Sequence, residues 1–155
     1  SVFYNEVRNF IDFESGAGYV NDSFGIYRGA EFFGEYNGEK YRLDSSLTLL
    51  NISLSSGEEA QRRPDFSYAL GLSNKFNDYH SFGIDWNWSG RRFERIGGET
   101  FRLSPYDVLD INYSFMKGRT EVLASVQNIL DREYEIGRGY SVLRRALEVT
   151  VIYKF

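Results

Sequence analysis

The residues best equipped for chemistry lie in "SGRRFERIGGETF" at 89–101, which gathers Arg91, Arg92 and Arg95 around Phe93 and Phe101. Guanidinium forks beside aromatic faces suit an anionic, partly aromatic ligand such as a catecholate chelate, or the phosphates of a surface lipid. Arg138, with Arg144 and Arg145, forms a second basic cluster that is expected to join the first on one rim. The competing reading is a solvated loop paired internally with Glu94 and Glu99, since exposed charge runs usually solvate. Other constellations are thinner. Without cysteine, and with His80 as the single histidine, a zinc site is not expected, because zinc needs about four ligands or three plus water. Asp110, Asp85 and Glu31 lack a nucleophile with a histidine base, so no enzyme is expected. "RIGGET" does not follow a strand and open a helix, as a phosphate-binding loop would.

These residues need a scaffold, and composition narrows what it is. The chain has 155 residues, 17% aromatic, with 15 Gly and 2 Pro, which suits many strands joined by turns. A net charge of −4 argues against a nucleic-acid partner. No run approaches the roughly 18 apolar residues of a membrane-spanning helix, and mean hydropathy is −0.43. A membrane barrel stays open, because only every second residue of its strands faces lipid. The chain opens directly in strand-like sequence, so a mature or truncated form is expected.

Period-two alternation predicts eight strands, at about 1–13, 25–36, 41–54, 66–76, 79–89, 106–116, 119–130 and 144–155. In the clearest, Phe82, Ile84, Trp86 and Trp88 oppose Gly83, Asp85 and Asn87. The phase slips between Leu47, Leu49 and Leu50, Ile52, Leu54, where a bulge is expected. Short turns at 37–40, 77–78 and 117–118 alternate with long connections at 14–24, 55–65, 90–105 and 131–143. An up-and-down meander puts all short turns at one end and all long loops at the other, as in outer-membrane barrels.

Aromatics flank both ends. Tyr36, Phe76, Tyr79, Phe115, Tyr153 and Phe155 lie by the short turns, and Trp88 by the long loops. Two such girdles about 25 Å apart are expected at membrane interfaces. The predicted fold is therefore all-β, a transmembrane antiparallel up-and-down β-barrel with eight strands in this chain, a single domain over 1–155. Membrane lipid is the expected partner of its apolar face. The other face, including Glu31, Glu35, Ser67, Gly71, Ser73, Lys75, Asp85, Asn87, Asp110, Asn112, Glu148 and Lys154, is expected to line a lumen.

Several stretches are similar to the C-terminal part of a TonB-dependent outer-membrane receptor. "VFYNEVRNFIDF" at 2–13, "YRGAEFFGEYN" at 27–37 and "RRPDFSYALGLSNKF" at 62–76 resemble strands of that family. "VQNILDREYE" at 126–135 resembles its Asn-Leu-Phe-Asp-x-x-Tyr signature, and the chain closes on "YKF" with an aromatic last residue. The resemblance implies a barrel portion of a receptor for TonB-dependent uptake of a metal chelate (siderophore-like) or similar nutrient, without enzymatic activity or cofactor. It implies a bacterial outer-membrane location with both termini periplasmic. It also implies a plug domain and TonB as partners of the full-length parent, and Tyr153 and Phe155 as a signal for the barrel-assembly machinery. Family barrels have 22 strands and a plug, so eight strands imply a fragment or a short relative.

Two alternatives belong to other classes. One is an autonomous eight-stranded outer-membrane barrel with a structural or adhesive role, although a barrel that narrow must fill its interior with side chains. The other is a soluble barrel holding a lipophile, whose cavity would then carry the small and polar residues.

Overall fold

The computed structural model describes residues 1–14 and 18–155, and their side chains except at 10, 12–14, 22 and 23. Eight strands form one antiparallel meander: β1 (Val2–Glu14), β2 (Gly18–Asn37), β3 (Tyr41–Leu54), β4 (Phe66–Lys75), β5 (His80–Ser89), then, past a short hairpin β6 (Arg92–Ile96) and β7 (Glu99–Leu103), β8 (Tyr106–Lys117) and β9 (Thr120–Gln127), and, past a second hairpin β10 (Glu135–Gly137) and β11 (Tyr140–Ser141), β12 (Ala146–Tyr153). The order in the main sheet is β1-β2-β3-β4-β5-β8-β9-β12, and β1 and β12 are its two edges. The sheet is therefore open: of the two possibilities the sequence leaves, eight strands closed on themselves or part of a larger barrel, these strands do not close on themselves.

The expected strands all appear in the main sheet, and the differences lie at the long connections. β2 begins at Gly18 rather than 25 and pairs with β1 as far as Glu14↔Gly18, which replaces most of the loop expected at 14–24; residues 15–17 lie outside those described. The connections at 90–105 and 131–143 contain hairpins of their own, so the described chain has twelve strands, not eight. β9 ends at Gln127 because Asn128 and Asp131 take positive φ angles of 50° and 54°, a conformation that ends pairing. The bulge expected in β3 is absent: Gly25↔Leu54 to Asn37↔Arg42 and Tyr41↔Asn74 to Leu49↔Phe66 run without a shift.

The short turns are local and cheap. Asn77 Oδ1 accepts the amides of Tyr79 at 2.9 Å and His80 at 3.0 Å, closing the β4–β5 turn. Gly118, at φ 60°, begins a two-residue β8–β9 turn one position later than expected, since Lys117 still pairs with Thr120.

Strict register sorts side chains onto two faces. One row across the sheet reads Tyr36, Leu43, Leu72, Ile84, Ile111, Val126, Leu147. The adjacent row on the other face reads Asn37, Arg42, Ser73, Gly83, Asn112, Ser125, Glu148. No Asp, Glu, Lys or Arg stands on the apolar face from Ala30 to Tyr36, Tyr41 to Leu49, Phe66 to Leu72, Phe82 to Trp88, Leu109 to Phe115, Val122 to Val126 or Leu147 to Tyr153. This face is uncovered: Leu147 is 71% exposed, Val151 65% and Tyr36 63%. Among the described residues Leu103 is the only buried hydrophobic side chain. A water-soluble domain of this length would bury an apolar core; here, among the described residues, the apolar face keeps its large side chains exposed.

The polar face lines a cavity of about 500 Å³ bordered by Asp44, Gly71, Ser73, Asp85, Asn112 and Glu148. Eleven of the twelve residues expected to share a lumen face alternate onto this side of the sheet, and the twelfth, Lys154, follows the end of β12.

Candidate functional site

The long connections meet at one end of the sheet, and Glu94 joins them. Its side chain is 2% exposed. It accepts Arg62 Nε at 2.8 Å from the 55–65 connection, and the Arg138 amide at 2.5 Å from the β10–β11 hairpin. Burial pushes the Glu94 carboxyl up, but the Arg138 amide, the Arg62 hydrogen bond and the charges of Arg62 and Arg92 outweigh it and hold the group below the usual carboxylate range. Backbone contacts reinforce the join: Arg62 N donates to Phe93 O at 2.7 Å, and Gln61 bridges to Phe93.

Each basic residue expected to face a ligand has a protein partner. Arg92 is 5% exposed and donates to Ser104 O at 3.1 Å, Glu135 O at 3.0 Å and Ile136 O at 3.4 Å. Its guanidinium lies 4.7 Å from the Tyr106 ring, and Tyr106 stacks on Tyr134 at 4.0 Å. Arg95 pairs with Glu58. Arg91 donates to Asp65 at 3.2 Å and lies 5.7 Å from the Phe93 ring. Arg138 covers Phe101 at 3.7 Å. The structure thus brings Arg91, Arg92, Phe93, Arg95 and Arg138 to one rim. A second cavity of about 180 Å³, bordered by Arg63, Arg91 and Phe93 with Leu50 and Ile52 of β3, opens beside it.

The second basic cluster holds a corner together. Asn128 is 3% exposed; its amide nitrogen donates to Asp110 at 2.7 Å, and its side chain exchanges hydrogen bonds with Arg132 N at 2.9 Å and O at 2.8 Å. Arg144 grips both oxygens of Asp131, at 3.0 and 2.9 Å, and the Arg145 amide adds a third bond at 3.1 Å. These bonds lower the Asp131 pKa to about 2. The stretch "NILDREY" therefore turns the chain at the end of β9 and seats Tyr134 against Tyr106. In the sequence that stretch stands out only as a resemblance, and no local pattern marks Asn128 or Arg62 as a partner of distant residues.

Of the remaining sequence candidates, Asp85 and Asp110 stand directly opposite each other on β5 and β8, and Glu31 stands on β2, apart from them. Asp110 accepts the Asn128 amide at 2.7 Å, Asp85 accepts Asn112 Nδ2 at 2.8 Å, and Glu31 accepts Ser1 Oγ at 3.3 Å. His80 Nδ1 lies 2.7 Å from the Tyr113 hydroxyl. Among the described residues no three His, Asp or Glu side chains gather as metal ligands would. Of the aromatics expected at the membrane interfaces, Tyr36, Phe115 and Tyr153 stand on the apolar face near the short turns and Trp88 stands on it near the rim. Phe76 and Tyr79 lie in the β4–β5 turn, and Phe155 meets Tyr153 edge-on at 5.4 Å.

Comparison with known proteins places this sheet and rim. The vitamin B12 transporter BtuB of Vibrio cholerae is 25% identical over 157 residues, an alignment covering 97% of this chain and 26% of that protein. The outer-membrane ferripyoverdine receptor of Pseudomonas aeruginosa superposes with a TM-score of 0.82 over 99% of this chain and 24% of its own, at 17% identity. The resemblance to the TonB-dependent receptors holds in sequence and in fold. The ferric-catecholate import receptor Fiu of Escherichia coli K12 gives 0.80 over 99% of this chain and 24% of its own, also at 17% identity. The chain spans about a quarter of the length of these relatives. No family model matches it. The TonB-dependent receptors it resembles are transporters and receptors, not enzymes.

Proposed function

We propose that the chain is a membrane-spanning sector of a bacterial outer-membrane receptor barrel that takes up a metal chelate or similar nutrient in a TonB-dependent manner, and that it has no enzymatic activity. The observation that carries this reading is the exposed, charge-free face running across seven neighbouring strands. Such a face in water is an aggregation surface, whereas in a bilayer it is solvated. Residues 1–155 form one barrel domain in this reading, with the short turns and both termini on the periplasmic side.

The open edges give the second half of the proposal. In a bilayer, unpaired backbone groups of β1 and β12 would cost several kcal/mol each, so the edges must be paired. Further strands supply that pairing, and a polar face rich in Gly, Ser and Asn suits a wide lumen better than the packed interior of an eight-stranded barrel. A plug domain then occupies the lumen, and TonB drives its movement. The rim formed around Arg91, Arg92, Phe93, Arg95 and Arg138 captures the ligand. Tyr36, Phe76, Tyr79, Trp88, Phe115, Tyr153 and Phe155 anchor the barrel at the two interfaces, and Tyr153 with Phe155 presents the terminal strand to the barrel-assembly machinery.

The test is chelate-dependent growth of cells that make the whole protein as their only receptor, with and without TonB. Growth on a ferric chelate that is lost without TonB, and lost when residues 90–103 are deleted from a protein still present in the outer membrane, supports the reading. Equal growth without TonB contradicts it.

A further inference from the structure

The apolar face ends, beside the short turns, in a group of side chains that lipid contact alone does not require. His80 opens β5 on this face, with Nδ1 2.7 Å from the Tyr113 hydroxyl and its ring 5.0 Å from that of Phe115. When the phenol donates to Nδ1, Nε2 carries the proton and is itself a donor. Lys117 follows Tyr113 and Phe115 on the same face by alternation, with Nζ 5.3 Å from the Tyr79 ring. Its side chain is exposed, and no carboxylate pairs with it among the described residues. Glu121, two residues into β9 and opposite Met116, falls on the polar face. Asp78 lies in the β4–β5 turn.

With that tautomer, two donors stand at the edge of a charge-free belt, among the aromatics assigned above to the interface. We infer that His80 Nε2 and Lys117 Nζ form a binding site for the phosphodiester of an anionic phospholipid headgroup in the leaflet at the short-turn end. The inference rests on the membrane reading above. The headgroup is the occupant the geometry favours because the acyl chains of the same molecule lie against Phe82, Tyr113 and Val149, which share one row with no charge in it. An apolar body with an anionic end matches a surface with an apolar body and a cationic end.

The whole protein, reconstituted in vesicles of phosphatidylcholine with phosphatidylglycerol and then extracted in mild detergent, carries lipid whose composition mass spectrometry reads. The expected result is phosphatidylglycerol enriched above its share in the vesicle. Lys117→Gln should lower the enrichment about fivefold, the factor carried by one interfacial lysine, and the His80→Gln, Lys117→Gln pair should abolish it. Lys75→Gln, on the polar face, should leave it unchanged. No enrichment in the unsubstituted protein, or equal loss in Lys75→Gln, overturns the site while leaving the membrane reading intact. Failure of the unsubstituted protein to enter vesicles overturns both.

Discussion

The carboxylate of Glu94 and the guanidinium of Arg62, 32 residues apart, meet at 2.8 Å where two of the long connections cross. Because the Arg138 amide binds the other oxygen of the same carboxylate, three connections share one buried charge. The rim is expected to open as a unit for that reason.

Arg62→Ala leaves Glu94 buried without its main partner. Breaking a fully buried pair costs about 3–5 kcal/mol; the Arg62 side chain is 61% exposed, so solvent screening reduces the expected cost to about 1–3 kcal/mol. Amide hydrogen exchange checks it. Segments 58–65, 90–96 and 135–141 should all exchange faster in the variant. Acceleration confined to 58–65 would show that the connections move independently.

The corner at Asp131 gives a pH dependence of known sign. Its folded pKa is about 2 against a normal 3.8. Depression means that the native state binds its proton later than the unfolded chain, so the bonds to Arg144 and Arg145 stabilise the corner above about pH 4 and are lost as pH falls to about 2. Carboxyl chemical shifts of Asp131 through an acid titration follow this directly. A midpoint near 4 would mean that Arg144 does not hold it in solution.

Gly29 stands where a Cβ would lie 2.1 Å from the Leu49 carbonyl oxygen and 2.8 Å from the Phe3 ring. The oxygen belongs to the neighbouring strand and cannot swing away, so Gly29→Ala should break local β2–β3 pairing and cost about 1–3 kcal/mol. Gly34→Ala, whose nearest neighbour would be Ser45 Oγ at 3.6 Å, is the matched control. Urea midpoints of the two variants in detergent should differ accordingly.

Ile84 and Asp85 are neighbours in sequence with opposite surroundings. Ile84→Arg should cost about 2–4 kcal/mol of folding free energy in vesicles, as expected for a cation on the lipid face near mid-belt. Ser73→Arg, on the polar face, should be near neutral. Folding yield against urea in lipid vesicles reads both.

Much of this was legible in the sequence, and the reasons for the rest are physical. Strands such as β5 and β8 were readable because one face meets a single environment along its whole length, which enforces period two. In β3 the period slips where Leu50 and Ile52 leave the belt and their polar-side positions meet Arg63, Arg91 and Phe93 of the rim. The strand stays regular while its surroundings change, so the sequence mimics a bulge. β6 reads as a loop because Arg92, Glu94 and Arg95 are charged, yet Arg92 and Glu94 are buried, with partners that include Glu135 and Arg62, 43 and 32 residues away. Nothing local marks that pairing. The basic cluster in the loop was visible, but its engagement with Asp65, Glu58 and the β10 carbonyls was not.

If, as proposed, one face of this sheet meets lipid and the other an aqueous lumen, successive residues of β5 differ in what can collide with them. These 155 residues contain no cysteine, so single cysteines at 82 to 88 in turn, in a whole protein cleared of any cysteine elsewhere, accept a nitroxide label at one site. In the membrane-reconstituted whole protein, collision with oxygen, which concentrates in lipid, should peak at 82, 84, 86 and 88. Collision with a water-soluble nickel chelate should peak at 83, 85 and 87. Equal access of the nickel chelate to all seven positions would contradict the account.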